Sequence, residues 1–310
     1  MELVLDKISK SFGDKHVLKN VSFTAKSGVA MGLLGRNGSG KSTTIRIIMD
    51  IFPADSGTVT FDGRKNYEFV KKIGYLPEER GLYPKRLISD QLAYLGELRG
   101  LKAKDARARG KKLLERLEAG EYYSQKLETL SKGNQQKIQL AIALITDPEI
   151  LILDEPFSGL DPVNSVILKQ VINELKDEGR MVIFSSHQMS HVEDFCDDIC
   201  IINQGECVLQ GNLKQIKRSY PRNRILITPE NDDIRLLAGR LSENAELSDM
   251  ITDTSVMDKG CIVTLKDAGT KTYLFNALAQ MGIGIDSFQV MEPTLEEIFV
   301  EKAGNHDATV

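Results

Sequence analysis

Long apolar segments and an excess of basic charge are both missing from this 310-residue sequence. No segment approaches the ~18–20 consecutive apolar residues that cross a bilayer, so we expect no membrane-spanning helix. Residues 1–6 lack the basic region and apolar core of a secretion signal, and we expect none. The formal net charge of −4 gives no support to nucleic-acid binding through a basic surface. The sequence thus indicates a cytosolic protein without a nucleic-acid partner.

Cysteine is also scarce, with four residues and no C-x-x-C pair. Cys196, Cys200 and Cys207 are loosely spaced, Cys261 lies far off, and no histidine falls at a zinc-finger spacing. Cys196 and Cys200 are four residues apart, so they either share a helix face or straddle a helix-to-strand junction. We therefore predict packing cysteines in a reducing cytosol and no structural metal.

A glycine-rich loop is the most informative motif that is present. Residues 35–42 read G-R-N-G-S-G-K-S and fit the phosphate-binding pattern G-x-x-x-x-G-K-[ST]. The loop follows a predicted buried strand at 29–34 and precedes a predicted helix at 43–52. In that context backbone N–H groups and a helix N-terminus converge on one anion site. The alternative, an ordinary glycine-rich turn, is disfavoured by these flanks.

A second motif places two carboxylates at the end of an apolar strand. Residues 150–153 predict a buried parallel strand, and Asp154 and Glu155 follow it directly. Open α/β sheets place ligand chemistry at this end of their strands. Asp154 is suited to hold Mg²⁺, and Glu155 to orient or deprotonate an attacking water. A single acid would suggest a helix cap, but two acids followed by Pro156 favour a nucleotide site.

Further segments carry a resemblance to a known family. Residues 130–136 (L-S-K-G-N-Q-Q) look like a signature LSGGQ, 158–161 (S-G-L-D) match a D-loop, and 184–187 (F-S-S-H) end in a switch histidine. Phe12 takes the place of an aromatic that stacks on adenine, and no N-K-x-D guanine motif occurs. Over about residues 1–215 the chain therefore resembles the ATP-binding subunits of ABC transporters. The resemblance implies an α/β P-loop NTPase core with an antiparallel β subdomain and a helical subdomain.

The activity implied by the resemblance is ATP hydrolysis, with ATP and Mg²⁺ bound. The predicted catalytic residues are Glu155, which would activate water, Lys41, which would stabilise developing charge, and His187, which would contact the γ-phosphate. The predicted magnesium ligands are Ser42, Asp154 and Glu78. The predicted ATP-binding residues are Phe12, Gly35, Arg36, Asn37, Gly38, Ser39, Gly40, Lys41, Ser42, Thr43, Glu78, Ser131, Gly133 and Asp161.

The signature implies a second copy of the chain. In the family two ATPase domains pair head to tail, and each ATP lies between one phosphate loop and the partner's signature. Ser131 and the N–H of Gly133 would then contact the γ-phosphate across the interface, and Asp161 would communicate between the sites. The residues alone also permit a plain N-cap at Ser131, on a helix predicted at 134–145, with no ligand.

Three positions depart from the family pattern. Lys132 replaces the first glycine of the signature, where it either adds a cation near the triphosphate or points into solvent, and Asn134 replaces its glutamine. Glu78 stands where the family has a glutamine that reaches Mg²⁺ and links the site to the membrane subunit. We hypothesise that Glu78 is a metal-sensing coupling residue, the alternative being a surface acid. Residues 77–83, P-E-E-R-G-L-Y, look most like bacterial exporters related to sodium-efflux ATPases.

The order of motifs predicts two domains. We expect an ABC ATPase domain over 1–219 with its helical subdomain at about 86–135, an accessory domain over 220–303 and a disordered tail at 304–310. A last amphipathic helix at 294–302 opens with a capping box, Thr294 to Glu297. The predicted accessory elements are a strand at 224–228, a helix at 232–241, strands at 246–256 and 261–266, a helix at 271–281 and a strand at 284–290.

This βαββαβ order is typical of an α+β ferredoxin-like domain. Its role is open between a regulatory ligand-binding module, a dimer-stabilising surface and a brace for the membrane subunit. Self-association or structural support is favoured, because no cluster of His, Asp or Arg indicates a binding pocket.

Two classes of function fit the motifs. The first is a transport ATPase that energises export through a separate integral-membrane permease, from the inner face of the cell membrane. The second is a soluble ABC-type ATPase without a permease, in assembly, ribosome or DNA work. Ribosome-acting members usually carry two ATPase units, and the stretch between Lys41 and Ser131 has no room for the coiled coil of DNA-acting relatives. Transport is therefore favoured, with a substrate chosen by the permease.

Overall fold

The computed structural model describes residues 1–65, 67–79, 81–230, 234–258 and 260–307. The chain forms two compact units, one of Met1–Leu213 with Ile298–Val310 and the other of Lys214–Glu297. This division differs from the predicted boundary at residue 220, because a continuous helix at Leu213–Ser219 carries the chain into the second unit. None of the helices in the described ranges combines the length and apolar character needed to cross a bilayer.

The first unit is a mixed α/β structure. Its strands are β1 (Glu2–Phe12), β2 (Lys15–Lys26), β3 (Ala30–Leu34), β4 (Ser56–Phe61), β5 (Ile73–Leu76), β6 (Ile150–Asp154), β7 (Met181–Ser186), β8 (Asp198–Asn203) and β9 (Glu206–Asn212). Its helices are α1 (Lys41–Ile48), α2 (Ile88–Leu98), α3 (Ala103–Arg116), α4 (Lys132–Ala143), α5 (Pro162–Asp177) and α6 (Met189–Phe195). Short 3₁₀ turns lie at Tyr67–Lys72, Gly120–Tyr122 and Leu127–Thr129.

A six-stranded sheet positions the site. Its order is β5-β6-β7-β3-β8-β9, with β5 to β8 parallel and β9 antiparallel to β8. Every residue of β3, β6 and β7 is buried, which explains their continuous apolar runs. Because parallel strands end at one edge, the segments that follow β3, β6 and β7 meet there. The predicted strand–loop–helix context of the phosphate loop is confirmed, with α1 beginning at Lys41.

A second, antiparallel sheet of the first unit has the order β2-β1-β4. This sheet agrees with the antiparallel β subdomain that the resemblance implies. Its strands contribute Leu3, Leu5 and Phe23 to a buried core shared with Ile45 and Ile150 of the larger sheet and its helices. The predicted helices near 88–99 and 104–117 correspond to α2 and α3.

The second unit is an antiparallel sheet with helices. Its order is β11-β12-β10-β13, and every neighbouring pair is antiparallel. Together with the βαββαβ chain order this is the predicted ferredoxin-like arrangement. The helix α7 (Leu213–Ser219) begins at the boundary, with Leu213 still in the first unit. The further elements are β10 (Arg224–Pro229), α8 (Ile234–Glu243), α9 (Ala245–Ser248), β11 (Ile251–Met257), β12 (Gly260–Leu265), a 3₁₀ turn (Ala268–Thr270), α10 (Lys271–Gln280) and β13 (Ile285–Met291).

Two expectations for the C-terminal part are wrong in detail. The strand predicted from residue 246 begins only at Ile251, because the Asn244 side chain caps the short helix α9 by accepting from the Glu246 and Leu247 N–H groups. The chain after 303 is not a tail throughout, since helix α11 (Leu295–Asp307) continues where no proline stops it. The rest of the predicted tail, 308–310, lies outside the described residues, as does the start of the helix predicted at 232.

Candidate active site

The phosphate loop requires its glycines. A Cβ on Gly35 would lie 2.1 Å from the carbonyl oxygen of Ile202, and Gly35 has φ +150°. At Gly40, with φ +117°, a Cβ would lie 2.5 Å from a methyl carbon of Leu18. Both positions combine a left-handed backbone with backbone or side-chain contact, which only glycine accepts. The loop is therefore a fixed cradle that opens into the N-terminus of α1.

Lys41 is buried within the loop. Its Nζ donates to the carbonyl oxygens of Gly35 at 2.7 Å and Arg36 at 3.3 Å. Burial lowers the pKa of Lys41, while the carboxylates of Glu155 and Asp154 act in the opposite direction. The ammonium group thus stands next to the two acids that the sequence singles out.

Arg36 makes a contact with the end of the chain. Its guanidinium carbon lies 5.6 Å from the ring centroid of Phe299, a buried residue of α11. This is cation–π distance, and such a contact contributes about 0.5–1 kcal/mol where the cation is exposed. Arg36, the second residue of the phosphate loop, is therefore contacted by a residue outside the loop.

Asp154 is buried at the end of β6 and carries an unfavourable charge. It accepts a hydrogen bond from the Ser185 hydroxyl and a long one of 3.5 Å from the Tyr75 hydroxyl. Burial raises the pKa of Asp154, the neighbouring Glu155 carboxylate raises it further, and the Ser185 hydroxyl opposes both. Burial, together with the Asp154 charge, also raises the pKa of Tyr75 to about 12.

Glu155 and His187 are in direct contact. Glu155 Oε1 accepts from the backbone N–H of His187 at 2.7 Å and lies 2.7 Å from its ring Nδ1. Its other oxygen, Oε2, accepts from the Ser186 hydroxyl at 3.1 Å. Glu155 is 6% exposed and has φ +49°, a left-handed backbone that is uncommon outside glycine. Strained backbone of this kind occurs preferentially at functional sites.

One cavity of about 380 Å³ unites most of the predicted nucleotide residues. Phe12 is half exposed, and its ring packs edge-on against Phe52 with 5.5 Å between the centroids. Lys15 and Val17, at the start of β2, also line the cavity, although no motif in the sequence predicts them there. The lining residues are Phe12, Lys15, Val17, Asn37, Gly38, Gly40, Lys41, Ser42, Thr43, Glu78, Asp154 and Glu155.

The predicted cross-interface residues form a separate cluster and do not line this cavity. Ser131 caps α4 by accepting from the Asn134 N–H at 3.3 Å, and Asp161 caps α5 by accepting from the Asn164 N–H at 2.9 Å. A Cβ on Gly133 would lie 2.5 Å from Asn164 Nδ2 and 3.4 Å from Asp161 Oδ2. Ser131 therefore caps α4, and Gly133 lies next to Asp161.

The two signature departures have different surroundings. Asn134 donates from Nδ2 to the Tyr122 hydroxyl at 2.8 Å, so it ties α4 to the turn before it. Lys132 is exposed at the first position of α4.

The cavity also contains a donor set that suits Mg²⁺. The Ser42 hydroxyl and the carboxylates of Asp154 and Glu78 are hard oxygen ligands, the type that Mg²⁺ prefers. The pKa of Asp154 is raised by burial and by the neighbouring Glu155 carboxylate. A divalent cation would compensate this buried negative charge, so the residues present fit the metal.

Comparison with known proteins agrees with this geometry. Residues 18–158 match the ABC transporter family, and residues 211–303 match the C-terminal domain of DrrA1-3-like ATP-binding proteins. The uncharacterized ABC transporter ATP-binding protein YhaQ of Bacillus subtilis (strain 168) is 41% identical over 303 residues, which is 97% of this chain and 98% of that protein. The lipopolysaccharide export system ATP-binding protein LptB of Escherichia coli (strain K12) is 29% identical over 241 residues, 76% of this chain and 99% of LptB.

A solved structure has the same cassette fold. It is a dimeric structure of a post-hydrolysis state of the ATP-binding cassette MJ0796 bound to ADP and Pi. The two superpose with a TM-score of 0.62 at 26% identity, over 68% of this chain and 98% of that one. The matches to family models, the near full-length relative and the nucleotide cavity all indicate the same family. The chain belongs to the ATP-binding subunits of ABC transporters and is an ATPase of that family.

Proposed function

We propose that this ATPase energises export through a separate integral-membrane permease, by closing head to tail on a second copy when ATP binds. The observation that carries the proposal is the separation of two half-sites in one chain. The phosphate loop and acids line the cavity, whereas Ser131, Gly133 and Asp161 lie in another cluster. Two copies in opposite orientation would bring one cavity against the partner's cluster. The MJ0796 cassette is dimeric, which supports this assembly.

The chemistry follows from the contacts of the cavity residues. Glu155 would accept the proton of the attacking water, and His187, in contact with it, would face the γ-phosphate. Lys41 and the N–H groups of the loop would stabilise charge that develops on the phosphate oxygens. Ser42, Asp154 and Glu78 would hold Mg²⁺, which when bound neutralises phosphate charge.

A groove beyond Glu78 fits a docking site for the permease. It has a volume of about 350 Å³ and is lined by Tyr83, Arg86, Asp90, Gln91 and Tyr94. Gln91 fixes its shape by accepting from the Tyr83 N–H at 2.9 Å and donating to the Tyr83 and Arg86 carbonyls at 3.0 and 3.2 Å. The rings of Tyr83 and Tyr94 are about half exposed, as is typical of binding surfaces.

Several finer roles belong to the same proposal. The chain would act in the cytoplasm, on the inner face of the cell membrane, as an ATPase domain with an accessory C-terminal domain. The accessory domain would support self-association or the structure of the complex. Export is the favoured direction because the LptB relative belongs to an export system and residues 77–83 resemble exporters.

Affinity purification from native membranes tests the permease. We expect a multispanning protein to co-purify with the tagged chain and the Tyr94→Arg variant to lose it. The same variant should keep the basal ATPase rate of the purified chain, which controls for misfolding. A fully soluble homodimer whose ATPase is unaffected by the membrane fraction would instead support an ATPase that acts without a permease.

A further inference from the structure

Two of the four cysteines lie against each other. Cys200 on β8 and Cys207 on β9 have their Sγ atoms 3.1 Å apart, and both are free thiols. A disulfide needs about 2.05 Å between sulfur atoms, so a shift of roughly 1 Å would join them. Cys196 and Cys261 are buried free thiols elsewhere in the chain. The prediction treats all four cysteines as packing residues. It does not include the close pair of thiols that Cys200 and Cys207 form.

The two thiols differ in reactivity. Cys207 is partly exposed and Cys200 is fully buried. The hydrogen bond between them lowers the pKa of Cys207 and raises that of Cys200, and burial raises the Cys200 value further. Thiolate character and exposure together make a cysteine reactive. Cys207 is thus the first target of an oxidant, and Cys200 lies ready to resolve the product.

The dithiol stands in the hairpin that supports the phosphate loop. The turn between β8 and β9 contains Gly205, whose N–H donates to the Ser39 carbonyl at 3.1 Å. The Gly205 carbonyl accepts from the Lys19 N–H at 2.8 Å, and the Ile202 carbonyl abuts Gly35. This hairpin and the loop therefore share one set of backbone contacts, and movement of the hairpin reaches the nucleotide cavity.

The pairing of the two strands is irregular where the cysteines sit. Ile201 pairs with Leu209 but Ile202 pairs with Cys207, so β9 carries one extra residue as a bulge. Drawing the Cys207 sulfur toward Cys200 would tighten the strands at this bulge. The Gly205 turn, a few residues away, would shift with it.

We propose that Cys200 and Cys207 form an oxidation site at which peroxide creates an intramolecular disulfide that weakens ATP binding. The Cys207 thiolate attacks one oxygen of hydrogen peroxide, the O–O bond breaks, and a sulfenic acid and, after protonation, water result. The Cys200 sulfur then attacks the Cys207 sulfur, the S–O bond breaks, and a second water leaves with the Cys200 proton. Two thiols are oxidised and one peroxide is reduced to two waters.

Peptide mapping of the full-length protein is the first test. After mild treatment with hydrogen peroxide we expect two of the four thiols to be lost and a non-reduced peptide to link Cys200 with Cys207. We expect the Kd for ATP to rise about 2- to 10-fold, as weakening of one hydrogen bond predicts, and dithiothreitol to restore it. Cys261→Ser, in the other unit, should behave like the wild type, and Cys200→Ser should lose both effects.

Two results would overturn the proposal. One is Cys207 oxidised to sulfinic acid with no linked peptide, which means that Cys200 cannot resolve the intermediate. The other is a complete Cys200–Cys207 linkage without any change in the Kd for ATP. Both readouts use the wild-type chain, so an unstable cysteine variant does not affect the conclusion.

Discussion

Glu155 Oε1 is bound twice by one residue, His187, through its backbone N–H and its ring Nδ1, each at 2.7 Å. The backbone contact fixes the carboxylate relative to the end of β7, and the ring contact makes the two predicted catalytic groups a unit. Effects of residues that act as a unit are not additive. Kinetic changes at either position therefore report on the pair.

Substitution of Glu155 by glutamine should separate binding from hydrolysis. The amide keeps the shape and can still bond to His187, but it cannot accept a proton from water. We expect ATP binding to persist and turnover to fall about 10²–10⁴-fold, with an ATP-dependent dimer that persists in size-exclusion chromatography. Near-normal turnover would refute the assignment of Glu155 as the base.

Replacement of Asp154 by asparagine should stabilise the protein in the absence of nucleotide and Mg²⁺. The folded pKa of Asp154 is raised, so its ionised form costs stability at pH values above that pKa. The cost disappears as the pH falls toward the ordinary value of 3.8. We expect Asp154→Asn to raise Tm at pH 7, by about 2–4 °C per kcal/mol, and the gain to shrink in acid.

Asp161 provides the control of opposite sign. Its pKa is lowered, chiefly by the hydrogen bond from the Asn164 N–H, so its ionised form stabilises the fold. That contribution is present above the ordinary pKa and is lost as the pH falls through the lower one. Asp161→Asn should therefore not raise Tm at pH 7. A gain at both positions would show that the Asp154 effect is not electrostatic.

The Glu78→Gln variant addresses the metal hypothesis. The Glu78 carboxylate lines the cavity, and there its charge, with those of Glu155 and Asp154, opposes the lowering of the Lys41 pKa by burial. Removal of this charge should weaken the apparent affinity for Mg²⁺ in the ATPase assay by up to roughly tenfold, or ~1.4 kcal/mol. It should also improve ATP binding in the absence of the metal. Glu79→Gln, at an exposed neighbour that does not line the cavity, is the matched control. An unchanged rate and Mg²⁺ titration would exclude a role for Glu78.

Substitution of Thr294 tests whether its side chain stabilises the start of helix α11. Its hydroxyl accepts from the Glu297 N–H at 3.2 Å, and Glu297 accepts from the Thr294 N–H at 2.9 Å, which confirms the predicted capping box. Thr294→Ala should cost about 1 kcal/mol of unfolding free energy, measured by denaturant titration. Thr294→Ser, which keeps the hydroxyl, should cost much less, and equal losses in both variants would contradict the capping role.

The features that the sequence predicts correctly are those that depend on residues close together in the chain. The loop glycines, the acids after β6 and the cap at Thr294 each follow from residue chemistry within a few positions. Tyr75 was missed because it reaches Asp154 through the pairing of β5 with β6, two strands far apart in the chain. Lys15 and Val17 were missed because β2 reaches the cavity by packing beside the phosphate loop, where Val17 and Leu18 lie next to Gly40. No periodicity within β2 or β5 records which loop the strand will face.

The separation of Ser131 and Gly133 from the cavity was expected only from the family resemblance. A single sequence cannot show which residues need a second copy. The pair of Cys200 and Cys207 was missed for a related reason. Their approach depends on the bulge in β9, and seven positions of sequence separation do not reveal it.

The contact of Arg36 with Phe299 has a consequence for synthesis of the chain. A ribosome releases residue 36 long before residue 299, so the phosphate loop emerges before the Phe299 ring that Arg36 contacts. Nascent chains and fragments truncated before Phe299 would contain every residue of the phosphate loop but would lack the contact between Arg36 and Phe299. Because the first unit includes Ile298–Val310, folding of that unit is complete only after α11 has been synthesised.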